Sequence, residues 1–114
     1  MTTAGDVLLV DLDPVAGNEQ GGLRPVVVIS NVGYNQLVAG RLLVACPVTS
    51  RDRGLAHHVP VTRAPTHRLN RPSWVMCEQP RTISSRRINR SLGTLTAADI
   101  DHVATVVRRL LHSG

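Results

Sequence analysis

Glu19-Gln20-Gly21-Gly22-Leu23-Arg24-Pro25-Val26-Val27-Val28-Ile29-Ser30 is the stretch on which the reading of this chain turns. Its two adjacent glycines let the backbone turn sharply, and Pro25 then enforces an extended entry into the next run. Four consecutive β-branched residues, Val26 to Ile29, read as a buried strand. Upstream, Asp13 to Gly22 carries a proline, an asparagine and three glycines, the composition of a long flexible loop. Arg24 therefore stands where a loop able to move meets a rigid strand.

Outward from that stretch, short apolar runs of strand length recur. Asp6 to Asp11 is one, and Arg41 to Cys46, running into Pro47-Val48-Thr49-Ser50, is another. His58-Val59-Pro60-Val61 reads as an edge strand, because proline cannot donate to a central ladder. Ser73 to Glu78 reads as a further strand, and residues 81 to 92 as shorter strand-like pieces. The period then changes. Ile100, Val103, Ala104, Val107, Leu110 and Leu111 fall on one face of a helix. Thr96 is placed to cap it, with Asp99 and Asp101 in the first turn and Arg108, Arg109 and His112 in the last. The expected fold class is mostly β with α (α+β): a small barrel or sandwich with an appended C-terminal helix, in one domain spanning residues 1–114.

Composition narrows the functional classes. In 114 residues, Tyr34 and Trp74 are the only aromatics, so recognition that stacks bases on several rings is poorly supported. Thirteen basic residues, every one of them arginine, face eight acidic ones, for a net charge of +5. Genomic base composition can account for the absence of lysine, but the guanidinium forks suit a phosphate or carboxylate polyanion. Cys46 and Cys77 are too few for a disulfide framework and read as buried thiols. With neither a signal peptide nor an apolar run of spanning length, a cytoplasmic protein without membrane association is expected. No phosphate-binding loop, serine-nucleophile elbow or dinucleotide fingerprint occurs.

Three places carry candidate chemistry, each with a bland counterpart. The Glu19–Pro25 loop offers Arg24 on a rigid junction; on composition alone an ordinary hairpin loop with a surface arginine is the favoured explanation. Thr49 and Ser50 end a strand, where hydroxyls commonly bond local backbone. Their interest is that a second strand end could set a hydroxyl beside the Arg24 guanidinium. Glu78-Gln79-Pro80-Arg81-Thr82 places a carboxylate, an amide and an arginine after a buried strand, suited either to RNA contacts or to an exposed ion-paired turn. His57 and His58 are adjacent, so strand alternation sends them to opposite faces, and no carboxylate or cysteine lies at ligand spacing. No metal site is expected.

In their order along the chain, Gly5-Asp6-Val7, the Glu19-Gln20-Gly21-Gly22-x-Arg24-Pro25 loop with its valine strand, Pro47-Val48-Thr49-Ser50, Glu78-Gln79 with Arg81-Thr82-Ile83, and Leu92-Gly93-x-Leu95 resemble the MazF/PemK toxins. The resemblance covers nearly the whole chain. It implies an SH3-like β-barrel with helices, a symmetric homodimer, and the toxin half of a toxin–antitoxin pair. The implied activity is a sequence-selective endoribonuclease that needs no metal or other cofactor and leaves a 2′,3′-cyclic phosphate and a 5′-hydroxyl. Arg24 and Thr49 match the family's catalytic positions, with Glu19 the nearest carboxylate to serve as base. Gln20, Gly21, Gly22, Ser50, Gln79 and Arg81 are implied on the RNA path. The implied partner, besides RNA, is a MazE-like antitoxin whose acidic C-terminal tail competes for the same arginines. Three departures stand out: the first strand, Val7-Leu8-Leu9-Val10, carries no aromatic, Pro80 stands where a β-branched residue is commoner, and Glu78 stands where Asp is frequent. Two other readings remain: a gyrase-poisoning toxin of the CcdB type, whose Trp-Gly-Ile ending is not matched by His112-Ser113-Gly114, and a non-catalytic SH3-like RNA-binding module.

Overall fold

The computed structural model describes residues 2–12, 22–31, 34 and 39–111. Glu19, Gln20 and Gly21 of the loop, and His112 of the helix end, lie outside the described residues. Seven strands form one antiparallel sheet: β1 Asp6–Leu12, β2 Gly22–Val28, β3 Leu42–Thr49, β4 His58–Pro60, β5 Trp74–Met76, β6 Arg81–Ser84 and β7 Ile88–Thr94. A short 3-10 turn, Ser85–Arg87, separates β6 from β7, and helix α1 covers Ala97–Leu111. The order is β4-β5-β3-β2-β1-β7, with β6 also paired to β3. The expected class and terminal helix are both observed.

Strand β3 organises the sheet, and its sequence explains how. One edge pairs with β2 through Val26↔Pro47, Val27↔Cys46 and Val28↔Ala45. The other edge pairs with β6 from Leu42 to Ala45 and with β5 at Val48 and Thr49. Pro47, which has no N–H to donate, falls between those two ladders. The three steps from Ala45 to Val48 are matched by six steps from Val75 to Arg81. The three-residue surplus is taken up within Cys77-Glu78-Gln79-Pro80, so the first part of the third candidate segment lies in the interruption between β5 and β6.

Two apolar clusters occupy the two faces. On one, Val7, Val27, Cys46, Val48, Val59 and Val75 pack with Val103 and Val107 of α1. On the other, Leu8, Val10, Val26, Val28, Leu43, Ala45 and Ile83 pack together without the helix. Val is the commonest residue in both, which suits a curved sheet whose β-branched side chains are already stiff at χ1. The helix begins as its sequence predicts, with the Asp99 N–H donating to Thr96 Oγ1 at 3.2 Å. Its far end differs from expectation. Leu110 and Leu111 are exposed, because the apolar stripe runs past the edge of the sheet that α1 covers.

The sheet does not close on itself, but its β7 edge is covered. After β4 the chain crosses to the free edge of β7, where the Arg68 N–H donates to Leu92 O at 2.8 Å and the Thr94 N–H to Thr66 O at 2.9 Å. Gly93 allows that approach: its φ is +106°, and a Cβ there would lie 2.7 Å from His67 Cα. Asp99 fixes the same crossing to the helix. Buried in the first turn of α1, it accepts from the Thr62 N–H at 2.6 Å and from the Thr62 hydroxyl at 3.1 Å. The described residues contain no helix long and apolar enough to cross a membrane.

Candidate functional site

Arg24 lies on β2 opposite Val10 of β1 and is half-buried. The ladder between β2 and β3 ends at Val26↔Pro47; extended by two residues it sets Arg24 opposite Thr49. Both side chains then belong to the face of the second cluster, since Arg24 shares the parity of Val26 and Val28, and Thr49 that of Leu43 and Ala45. Thr49 in turn pairs with Trp74 of β5, and Trp74 with Pro60 of β4. Arg81 pairs with Ala45 on β3 and shares the parity of the buried Ile83, although Arg81 itself is exposed. Residues up to 57 apart in sequence thus share the parity of one sheet face.

The hydroxyl of Thr49 accepts from the Arg51 N–H at 3.1 Å, a local turn that fixes its rotamer. Ser50, next to it, is exposed, as is Gly22 at the start of β2. No local pattern marks Trp74 as a site residue; only the β3–β5 register reveals it as the neighbour of Thr49.

The bulge Cys77–Pro80 lies alongside. Glu78 Oε2 is 3.1 Å from His58 Nε2 and accepts from Gln79 Nε2 at 3.2 Å. Burial acts to raise the Glu78 pKa, but hydrogen bonds from His58, backbone and Gln79 outweigh it and hold the carboxyl below the usual range. The expectation that His57 and His58 diverge is not met. His57 precedes β4 and escapes strand alternation, and its Nε2 stands 3.8 Å from Glu78 Oε1. The carboxylate they share is 20 residues away from His58, beyond any local spacing rule. Cys46 and Cys77 are free, buried thiols, pushed up to about 12 and about 11 by burial and, secondarily, by neighbouring negative charge.

Chemically, this face offers guanidinium groups, a rigid hydroxyl and an amide, with all thirteen arginines either exposed or half-buried. Fold and face together define a small arginine-rich β-sheet protein whose Arg24-bearing face suits a polyanion. Comparison with known proteins places it further. The chain belongs to the family described as PemK-like, MazF-like toxin of type II toxin-antitoxin system, which it matches over residues 3–111. It is 32% identical over 107 residues to an Endoribonuclease MazF from Staphylococcus saprophyticus, covering 94% of this chain and 88% of that protein. Among solved structures it is similar to MazF from Deinococcus radiodurans, with a TM-score of 0.76, 34% identity and 96% of each chain covered. A MazE-MazF structure from the same organism gives a TM-score of 0.77 at 34% identity, covering 96% of this chain and 95% of that one.

Proposed function

We propose that this toxin is a metal-independent, sequence-selective endoribonuclease, working in the cytoplasm as a homodimer and restrained by a cognate antitoxin. The observation that supports the reading is the β2–β3 register, in which Val26↔Pro47 is the last pair and Arg24 and Thr49, each two residues beyond it, share the parity of one sheet face. A guanidinium and a hydroxyl so related suit a phosphodiester whose own ribose 2′-hydroxyl is the nucleophile. The 2′-oxygen attacks phosphorus, the bond to the 5′-oxygen breaks, and the products are a 2′,3′-cyclic phosphate and a 5′-hydroxyl.

Arg24 stabilises the charge that accumulates on the phosphoryl oxygens, through two directed N–H bonds. Proton transfer is not its role, because a guanidinium stays protonated far above neutral pH. Thr49 fixes a phosphate oxygen, and its bond from the Arg51 N–H leaves the hydroxyl proton available to donate. Glu19 is assigned as the base that takes the 2′-hydroxyl proton, with Gln20, Gly21 and Gly22 assigned to RNA binding. Ser50, Gln79 and Arg81 extend the RNA path. With its amide nitrogen engaged by Glu78, Gln79 keeps its amide oxygen to accept from a base edge. The relatives include a MazE-MazF pair. An antitoxin with an acidic C-terminal tail would compete with RNA for Arg24 and Arg81 by charge complementarity.

The test is to incubate antitoxin-free protein with fully randomised RNA in EDTA and to map the fragment ends. Discrete cuts with 5′-hydroxyl ends, lost in Arg24→Ala, support the proposal. Salt-sensitive RNA binding without scission would favour a non-catalytic module instead.

A further inference from the structure

We infer that His57, His58 and Glu78 form a binding site for a borderline divalent transition-metal ion of the Zn2+ type. Three donors from these residues lie within 4.8 Å of one another. His58 Nε2 and Glu78 Oε2 are 3.1 Å apart, and His57 Nε2 and Glu78 Oε1 3.8 Å. Zinc bonds of about 2.0–2.2 Å in a tetrahedral arrangement require donors roughly 3.4 Å apart, so side-chain adjustment at the partly exposed His57 and Glu78 would draw the three donors, now within 4.8 Å, around the ion. Two imidazoles and one carboxylate favour zinc-like ions over magnesium or calcium, which prefer oxygen alone.

The site is built on paired strands. His58 opposes Met76 in the β4–β5 ladder, which carries Glu78 two residues further on at the start of the bulge. The His58 side chain is only 3% exposed, whereas His57 and Glu78 are 34% and 29% exposed. One ligand is therefore anchored in the fold while the other two face an entry path. Three protein ligands leave a fourth position for water or for an oxygen of a phosphate. Affinity is limited by one feature. His58 Nδ1 is buried and has no hydrogen-bond partner among the described residues, whereas a ligating imidazole ordinarily donates there. A site without that support is expected to bind about 10–100-fold more weakly than a fully supported one. Such a site empties when metal is scarce and fills reversibly when it is plentiful, unlike permanent structural zinc.

Occupancy would reorganise the bulge, because an ion taking Glu78 Oε2 withdraws the acceptor now used by Gln79 Nε2. The site is separate from the proposed phosphoryl chemistry, which needs no metal. Its failure and that of the nuclease reading are therefore distinguishable.

The experiment uses untagged, chelator-stripped full-length protein, titrated with Zn2+ in a calorimeter and with Co2+ followed by visible absorption. Saturable binding of a single ion per chain is expected, weakened at least about tenfold in both His57→Ala and Glu78→Gln. These side chains are partly exposed, so both variants should fold, as circular dichroism would verify; buried His58 is left intact. The Co2+ spectrum should show nitrogen and oxygen ligation. Absence of saturable binding, undiminished affinity in both variants, or a thiolate-to-cobalt band from Cys46 or Cys77 would each overturn the inference.

Discussion

Replacing Asp99 by alanine should loosen the whole helix–sheet junction, and the size of the effect can be worked out from its contacts. The buried carboxylate accepts from the Thr62 N–H at 2.6 Å and from the Thr62 hydroxyl at 3.1 Å. The first bond is charge-assisted, and losing it strands a backbone donor, which costs about 1.5–3 kcal/mol. The hydroxyl bond belongs to an exposed residue and adds about 0.5 kcal/mol. A carboxylate in the first helical turn contributes about another 0.5 kcal/mol through the macrodipole. Asp99→Ala is thus expected to lose roughly 3 kcal/mol. In a chain of this size that lowers Tm by about 12 °C.

Asp99→Asn separates geometry from charge. Its amide oxygen can accept from the Thr62 N–H while its nitrogen donates to the Thr62 hydroxyl, leaving both groups satisfied. It should therefore cost only about 1 kcal/mol. Urea denaturation of the three proteins at pH 7, monitored by far-ultraviolet circular dichroism, gives the comparison directly. If alanine cost no more than asparagine, or both matched the parent, the carboxylate would not be what fixes the crossing segment to α1.

The same geometry makes further outcomes measurable. Arg24→Ala should reduce RNA cleavage by at least about a hundredfold while leaving a folded protein, and Thr49→Ala by more than about tenfold; single-turnover rates on one mapped RNA substrate measure both. Gly93→Ala should cost about 2–3 kcal/mol, because φ of +106° is strained for alanine and its Cβ would press on Thr66 O. The signature would be faster hydrogen exchange at the Thr94 and Arg68 amides, which join β7 to the crossing segment. Cys46 and Cys77 should resist a thiol reagent at pH 8 in the native protein and react once urea unfolds it. Because the Cys46 thiol is raised to about 12 in the fold from its ordinary 9.0, the unfolded chain loses that proton first on alkalinisation. Stability should accordingly fall as pH rises from about 9 towards 12, measurable by urea midpoints across that range.

Local patterns are legible in the sequence, and each for a local reason. Helix α1 is readable because Ile100, Val103 and Val107 repeat at 3.6-residue spacing and Thr96 supplies an oxygen at the cap. Strand β2 is readable because Val26 to Ile29 are β-branched and a turn precedes them, although pairing with β1 begins earlier, at Gly22. Proline marks β4 as an edge, and β4 does end the sheet. Family resemblance adds the ordered set of polar residues, which no single spacing rule supplies.

Register and crossing emerge only in three dimensions. Nothing in the sequence states that Val26 falls opposite Pro47, the pairing that turns Arg24 and Thr49 to one face, because that depends on how β2 and β3 slide past each other. A slip of one residue would send Thr49 to the helix-covered face instead. The three-residue surplus opposite Pro47 is likewise a property of two strands together, as is the convergence of His57 and His58 on Glu78. Even Asp99, locally a charge that complements the helix dipole, is claimed by a backbone N–H 37 residues away. Which segments become strands and which becomes the helix is settled along the chain, because φ/ψ preference and apolar period act over a few residues. Which polar groups meet is settled by folding, because strand pairing and burial act between segments far apart in the chain.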